Sequence, residues 1–170
     1  MGCDRSGQSL MPMRVGQTWT YQVTGDFQVF VEPISVNRRI AVGSTDGYEL
    51  TGPLGVSRLA WLEDKLVTSA TANARFSPPI PILLGHGTRG RWEGQVGWMG
   101  SNAHTVAILT QDNSKVRVGG RSVNAVRSTL QFTVRGHPVE LASWFQPGVG
   151  LILQEQRVDG HRNLKMEMLQ

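Results

Sequence analysis

Leu141-Ala142-Ser143-Trp144-Phe145-Gln146-Pro147-Gly148-Val149-Gly150-Leu151-Ile152-Leu153-Gln154-Glu155-Gln156 decides the fold of this chain. Pro147 fixes its own φ and biases Gln146 towards extended backbone. Gly148 and Gly150 allow conformations that a Cβ forbids. The apolar runs on either side are too short for good helices and too apolar for loops. The stretch therefore reads as strand, hard turn, strand, with Pro147, Gly148 and Gly150 as its structural corner. It holds no nucleophile elbow, acid–base pair or metal cluster, so it specifies architecture rather than chemistry.

Outward from the corner the same period of two recurs. Val126, Leu130, Phe132 and Val134 share one face of a long strand, against Arg127, Thr129, Gln131 and Thr133 on the other. On the C-terminal side, Asp159-Gly160 is a hairpin signal, and Leu164, Met166 and Met168 alternate with Lys165 and Glu167. Near the start, Trp19, Tyr21 and Val23 alternate with Thr18, Thr20, Gln22 and Thr24. Residues 59–75, rich in Ala and Leu, leave a short helix open as an alternative to strands. Ser77-Pro78-Pro79-Ile80-Pro81-Ile82-Leu83-Leu84 cannot be a central strand, because proline removes ladder donors. It reads as an extended segment crossing an edge or the mouth of the sheet.

Composition agrees. The 170 residues include 20 Gly and 8 Pro, so few windows could hold a helix of average length, about 11 residues. The fold class expected is mainly β: a strongly curved antiparallel sheet, a half-barrel or open barrel, with at most one or two short helices. Residues 1–13 are expected to form a flexible tether, and 14–170 a single β domain. No run of 18 apolar residues is present, so no helix is expected to span a membrane.

The net charge is +4, but the arginines are scattered singly or in pairs, as Arg38-Arg39 or Arg89 and Arg91. That is the pattern of a solvated surface, and nucleic acid is not the expected partner. Gly85-x-Gly87-x-x-Gly90 matches a dinucleotide fingerprint in letters only, because no helix can follow through Trp92, Gly94 and Gly97. His86, His104, His137 and His161 lack a second ligand at metal spacing and read as surface histidines. Trp19, Trp61, Trp92, Trp98 and Trp144 could stack bases or sugars, but their alternating positions make core filling the default. No catalytic residue, cofactor or metal is expected.

Cys3 is the one cysteine, followed by the small polar run Asp4-Arg5-Ser6-Gly7-Gln8-Ser9. Gly2-Cys3 resembles the start of a mature bacterial lipoprotein, with Cys3 as the lipid attachment site and Met1 as an added start. Met1-Gly2-Cys3 also fits the pattern for N-myristoylation beside a palmitoylated cysteine, and an unmodified terminal thiol is the third reading.

Two stretches together resemble a group of uncharacterised bacterial lipoproteins, the TapB-like proteins. Val15-Gly16-Gln17-Thr18-Trp19-Thr20-Tyr21 is similar to their opening G-x-x-W-x-Y. Phe145-Gln146-Pro147-Gly148-Val149-Gly150-Leu151 is similar to their closing P-G-V-G-L motif. Residues 116–126 resemble their mid-chain strand, turn, strand. The resemblance implies a half-barrel akin to those of periplasmic lipoprotein carriers, whose concave face shelters acyl chains. It brings no catalytic residues.

The expectation is therefore a non-enzymatic binding or assembly module of the bacterial cell envelope. It would be held to the membrane by an N-terminal lipid and face the periplasm or exterior. Its partner would be a lipid or an envelope protein, with an apolar ligand in the concave face and Ile80, Ile82, Leu83 and Leu84 as the rim. The alternative is a barrel that binds nucleic acid or glycan through Trp and Arg.

Overall fold

The computed structural model describes residues 8–52, 54–71 and 73–169. After a 3₁₀ turn at Gln8–Leu10, the chain forms β1 (Thr18–Gly25), β2 (Val29–Val42), β3 (Thr45–Gly52) and β4 (Gly55–Leu62). It continues through β5 (Lys65–Thr71), β6 (Ala74–Leu83), β7 (Arg89–Trp98) and β8 (Ser101–Val118). The last four are β9 (Arg121–Val134), β10 (His137–Gln146), β11 (Gly150–Val158) and β12 (His161–Met168). Each strand pairs antiparallel with its neighbours in the chain. β12 returns to β1, in a register from Tyr21↔Met168 to Gly25↔Leu164, and the sheet closes into a barrel.

The mainly β, strongly curved antiparallel sheet is as expected. It closes fully, one step beyond a half-barrel, because β1 and β12 present matching ladders and their pairing removes both edges. Residues 59–75 fall in β4 and β5 and the turns beside them, so the helical alternative for that segment is not adopted. Tertiary burial of Leu59, Leu66 and Val67 overrides the helix preference of the alanines and leucines.

Period-two burial fills the interior. In β1, Trp19, Tyr21 and Val23 are buried while Thr18, Thr20 and Gln22 are exposed. In β9, Ser128, Leu130, Phe132 and Val134 point inwards. Phe76 stands at the centre of an aromatic cluster, edge-on to Trp92 (centroids 6.1 Å apart) and to Phe132 (6.0 Å).

The proline-rich segment is a strand after all, but only half-paired. β6 pairs with β5 along its length, with register shifts, whereas its ladder to β7 runs from Ala74↔Trp98 to Ser77↔Gln95 and stops there. Pro78, Pro79 and Pro81 are the reason: three missing N–H groups cannot sustain a second ladder. The freed half lies instead against β8 and β9. There Ser128 Oγ donates to Ile82 O at 2.5 Å. Gln111 supplies a substitute rung, accepting from Leu84 N–H and donating to Leu84 O, both at 2.9 Å.

Alternate turns lie at opposite ends of the barrel. One end holds the β10–β11 corner, and the N-terminal segment packs onto it. Residues 8–13, expected to belong to the tether, are part of the fold. Gly148 N–H donates to Ser9 O at 2.7 Å, Trp61 Nε1 donates to Met11 O at 3.2 Å, and Met11 and Met13 are buried. Two methionines are too few to give a periodic signal, yet enough to close the barrel end. Cys3 lies outside the described residues.

Candidate functional site

The corner that organises the sequence also builds the floor of a cavity. Gly148 and Gly150 have φ of +78° and +114°. These turn the chain so that Val149 O accepts from Trp19 Nε1 at 2.9 Å, and Leu151 O accepts from Tyr21 Oη at 2.7 Å. The opening G-x-x-W-x-Y stretch and the P-G-V-G stretch are thus in contact, 130 residues apart in sequence. Burial pushes the Tyr21 hydroxyl far above its ordinary pKa, so it is a neutral donor.

Above this floor the barrel encloses a cavity of about 110 Å³. Met11, Trp19, Tyr21 and Phe145 line its base, with Leu50, Leu59 and Ile82 on one side and Leu141, Leu151 and Met166 on the other. Gly52, Leu54 and Gly55 of the β3–β4 turn, with Thr71 and Asn73 beside the β5–β6 turn, line the opposite end. The cavity therefore runs from the corner towards the end where those turns lie. An apolar cavity of about 150 Å³ suffices for a benzene ring, so the enclosed space suits part of an apolar chain.

Polar groups in the lining are few and placed together. Gln154 Nε2 donates to Ser143 Oγ at 3.0 Å. Gln156 joins two asparagines: its Oε1 accepts from Asn73 Nδ2 and its Nε2 donates to Asn163 Oδ1, both at 3.3 Å. Thr71 Oγ1 reaches Asn73 Oδ1 at 3.5 Å. Among the described lining residues there is no Asp, Glu, Lys, Arg or His.

Ile80, Ile82, Leu83 and Leu84, the expected rim, are all buried core residues, and of the four Ile82 alone lines the cavity. The prolines push this segment inwards, against β8 and β9, rather than across the mouth. The apolar groups exposed at the mouth end belong to turns instead. Phe27 between β1 and β2 is fully exposed, Met99 between β7 and β8 nearly so, and Leu54 between β3 and β4 partly. Sequence reasoning missed Leu50, Gln154 and Gln156. The available signal was the phase of β11, where Gln154 and Gln156 alternate with Glu155 and Arg157 and continue the face of buried Ile152.

The other candidate features are dispersed. The histidines stand apart at the surface, each beside a carboxylate: His86 with Asp64, His104 with Glu93, His137 with Asp159 and His161 with Asp26. No group of three or more His, Cys, Asp or Glu among the described residues is placed to hold a metal ion. Gly85–Gly90 leads into β7, not into a helix. Trp19, Trp92 and Trp98 are buried, while Trp61 and Trp144 are half-buried. Arginines meet carboxylates on the outer wall: Arg38 and Arg58 on Glu49, Arg127 on Asp112, and Arg157 and Arg162 on Glu155.

No protein-family model and no curated protein matches the chain. Solved structures do. A candidate lipoprotein from Parabacteroides distasonis ATCC 8503 superposes with a TM-score of 0.53 at 9% identity, over 94% of this chain and 96% of that one. A candidate exported protein with a YmcC-like fold from Bacteroides fragilis NCTC 9343 gives 0.49 at 9% identity, over 93% and 96%. The hypothetical lipoprotein YmcC from Escherichia coli K12 gives 0.46 at 11% identity, over 97% and 88%. At such identities the likeness is one of fold, and the Parabacteroides protein shares it along nearly its whole length.

Proposed function

We propose that this protein is a non-enzymatic binding module of the bacterial cell envelope, and that it holds an apolar ligand inside the barrel. The observation that carries the reading is the cavity itself. Barrel diameter grows with strand number, and barrels larger than about eight strands are wide enough to enclose a ligand cavity. Here the interior apolar faces stop short of filling the barrel, between the Trp19–Phe145 floor and the β3–β4 turn.

Envelope placement has two supports. One is the local pattern around Cys3, a cysteine preceded by Gly2 and followed by a small polar run, which is similar to that of lipidated cysteines. The other is the shared fold of the Parabacteroides candidate lipoprotein. The outer wall fits an aqueous compartment: Thr18, Thr20 and Gln22 of β1 and Arg91, Glu93 and Gln95 of β7 face out. Barrels that span membranes place an apolar band there instead. Trp19, Trp92 and Trp98 are buried, which favours core filling over stacking for these three and weighs against the nucleic-acid or glycan alternative.

Native mass spectrometry tests the reading. The protein incubated with monodecanoylglycerol should carry one ligand per chain. Leu50→Trp, which fills the cavity, and Ser57→Phe, which narrows its lining near the β3–β4 turn, should both lose the adduct while retaining a cooperative melt. The absence of an adduct, or an adduct equally strong in both folded variants, would overturn the proposal. Separately, the N-terminal peptide of the protein from its native host should carry acyl groups on Cys3, and an unmodified thiol there would remove the anchor.

A further inference from the structure

We infer that the cavity selects a single-chain amphiphile whose head is polar but uncharged, such as an ester, amide or glycerol head, and rejects carboxylate and phosphate heads. This rests on the binding role proposed above and names its ligand class. The base of the cavity is apolar, and the polar groups of its lining are neutral: the amides of Gln154, Gln156 and Asn73 with the hydroxyls of Ser57 and Thr71. Such groups both donate and accept, which suits a neutral head and leaves an anionic one without a counter-charge.

The surroundings point the same way. Of the two charges that β2 carries on its inner face, Glu32 stands opposite Tyr21 and Arg39 lies over the Tyr48 ring, 5.9 Å from its centroid, and neither lines the cavity, so β2 supplies no cation to it. Arg38 and Arg58, which could have balanced an anion, are on the outer wall and held by Glu49. An acyl chain would enter with its tail towards Met11 and Phe145 and leave its head beside Asn73 and Gln156.

Calorimetric titration at pH 8 with monodecanoylglycerol and with decanoate separates the possibilities, because the two share one chain. The neutral lipid should bind more than about tenfold tighter. Asn73→Lys places a cation at an exposed turn position of the mouth and should narrow or invert that ratio; Gln156→Lys is a second route to the same change. Equal or tighter binding of decanoate by the unaltered protein would overturn the head-group inference and leave the cavity reading intact. A ratio unmoved in both folded lysine variants would also overturn it. Binding of neither lipid would overturn the cavity reading and this inference together.

Discussion

Gly150 sits at φ +114°, and a Cβ there would come within 3.2 Å of Met11 Sδ and 3.5 Å of Trp19 Nε1. Gly148, at φ +78°, has open space around it. The two positions separate backbone strain from crowding. Gly148→Ala should cost about 1–2 kcal/mol from the left-handed backbone alone. Gly150→Ala should cost roughly 2–3 kcal/mol, because the floor of the cavity must also shift. Urea denaturation of the two variants measures the difference, and equal losses would contradict it. Glu49 offers a second residue-scale test. The Arg38 guanidinium, with help from Arg58, holds its carboxyl below the ordinary value of 4.5. A depressed carboxylate pKa stabilises the fold above the unfolded-state value, and that contribution is lost as pH falls through the folded-state value. Stability measured from pH 6 down to pH 3 should therefore drop more steeply in the unaltered protein than in Glu49→Gln.

At the scale of elements, the prolines of β6 explain both what was legible and what was not. Pro78, Pro79 and Pro81 announce a broken ladder, and the ladder to β7 does end at Ser77. The direction of the freed half was not legible. It depends on Gln111, 27 residues further on, whose amide stands in for a strand at Leu84. A glutamine in a strand carries no local sign of that role. Gln111→Ala should leave two buried backbone groups without partners, at a cost of about 2–4 kcal/mol. Hydrogen exchange should show the Leu84 amide losing protection while the β8–β9 ladder keeps its own; unchanged protection at Leu84 would refute the role.

The β8–β9 hairpin shows a different limit. The β9 ladder to β10 ends at Val126↔Phe145, so residues 121–125 overhang the sheet. There Ala125 is buried, out of phase with Ser128 and Leu130. Gly119 N–H donates to the Glu167 carboxylate at 2.9 Å, tying the tip to β12. Period-two reading assumes one buried face per strand and misses a strand that leaves its sheet. The free edge of β2 is guarded by sequence in a way that can be read. Val29–Ile34 pairs with β1 but not with β3, and Pro33 and the inward Glu32 both discourage a new partner there.

For the molecule as a whole, closure was the step that sequence could not supply. Strand phases in β1, β9 and β12 were readable because one face is apolar and the other polar. Whether the first and last strands meet depends on the summed twist and stagger of twelve strands, and no single stretch encodes it. The cavity follows from closure in the same way. Its floor was visible as the Pro147–Gly150 corner, but its walls come from strands far apart in sequence, and the expected rim at Ile80–Leu84 proved to be core. Closure makes the interior one continuous core, so truncations in it should be costly wherever they fall. Leu109 and Leu130, paired across β8 and β9 and both buried, should each cost about 2–5 kcal/mol as Ala in thermal or urea melts. Val31→Ala on the exposed face should change stability by less than about 0.5 kcal/mol.

The most direct measurement is a crystal structure of the protein soaked with monodecanoylglycerol brominated at the chain terminus. Anomalous bromine density inside the barrel, in contact with Met11, Trp19 or Phe145 and with the glycerol beside Asn73 and Gln156, is the predicted result. Bromine only on the outer wall, or a barrel whose own side chains close over the space, would contradict the account.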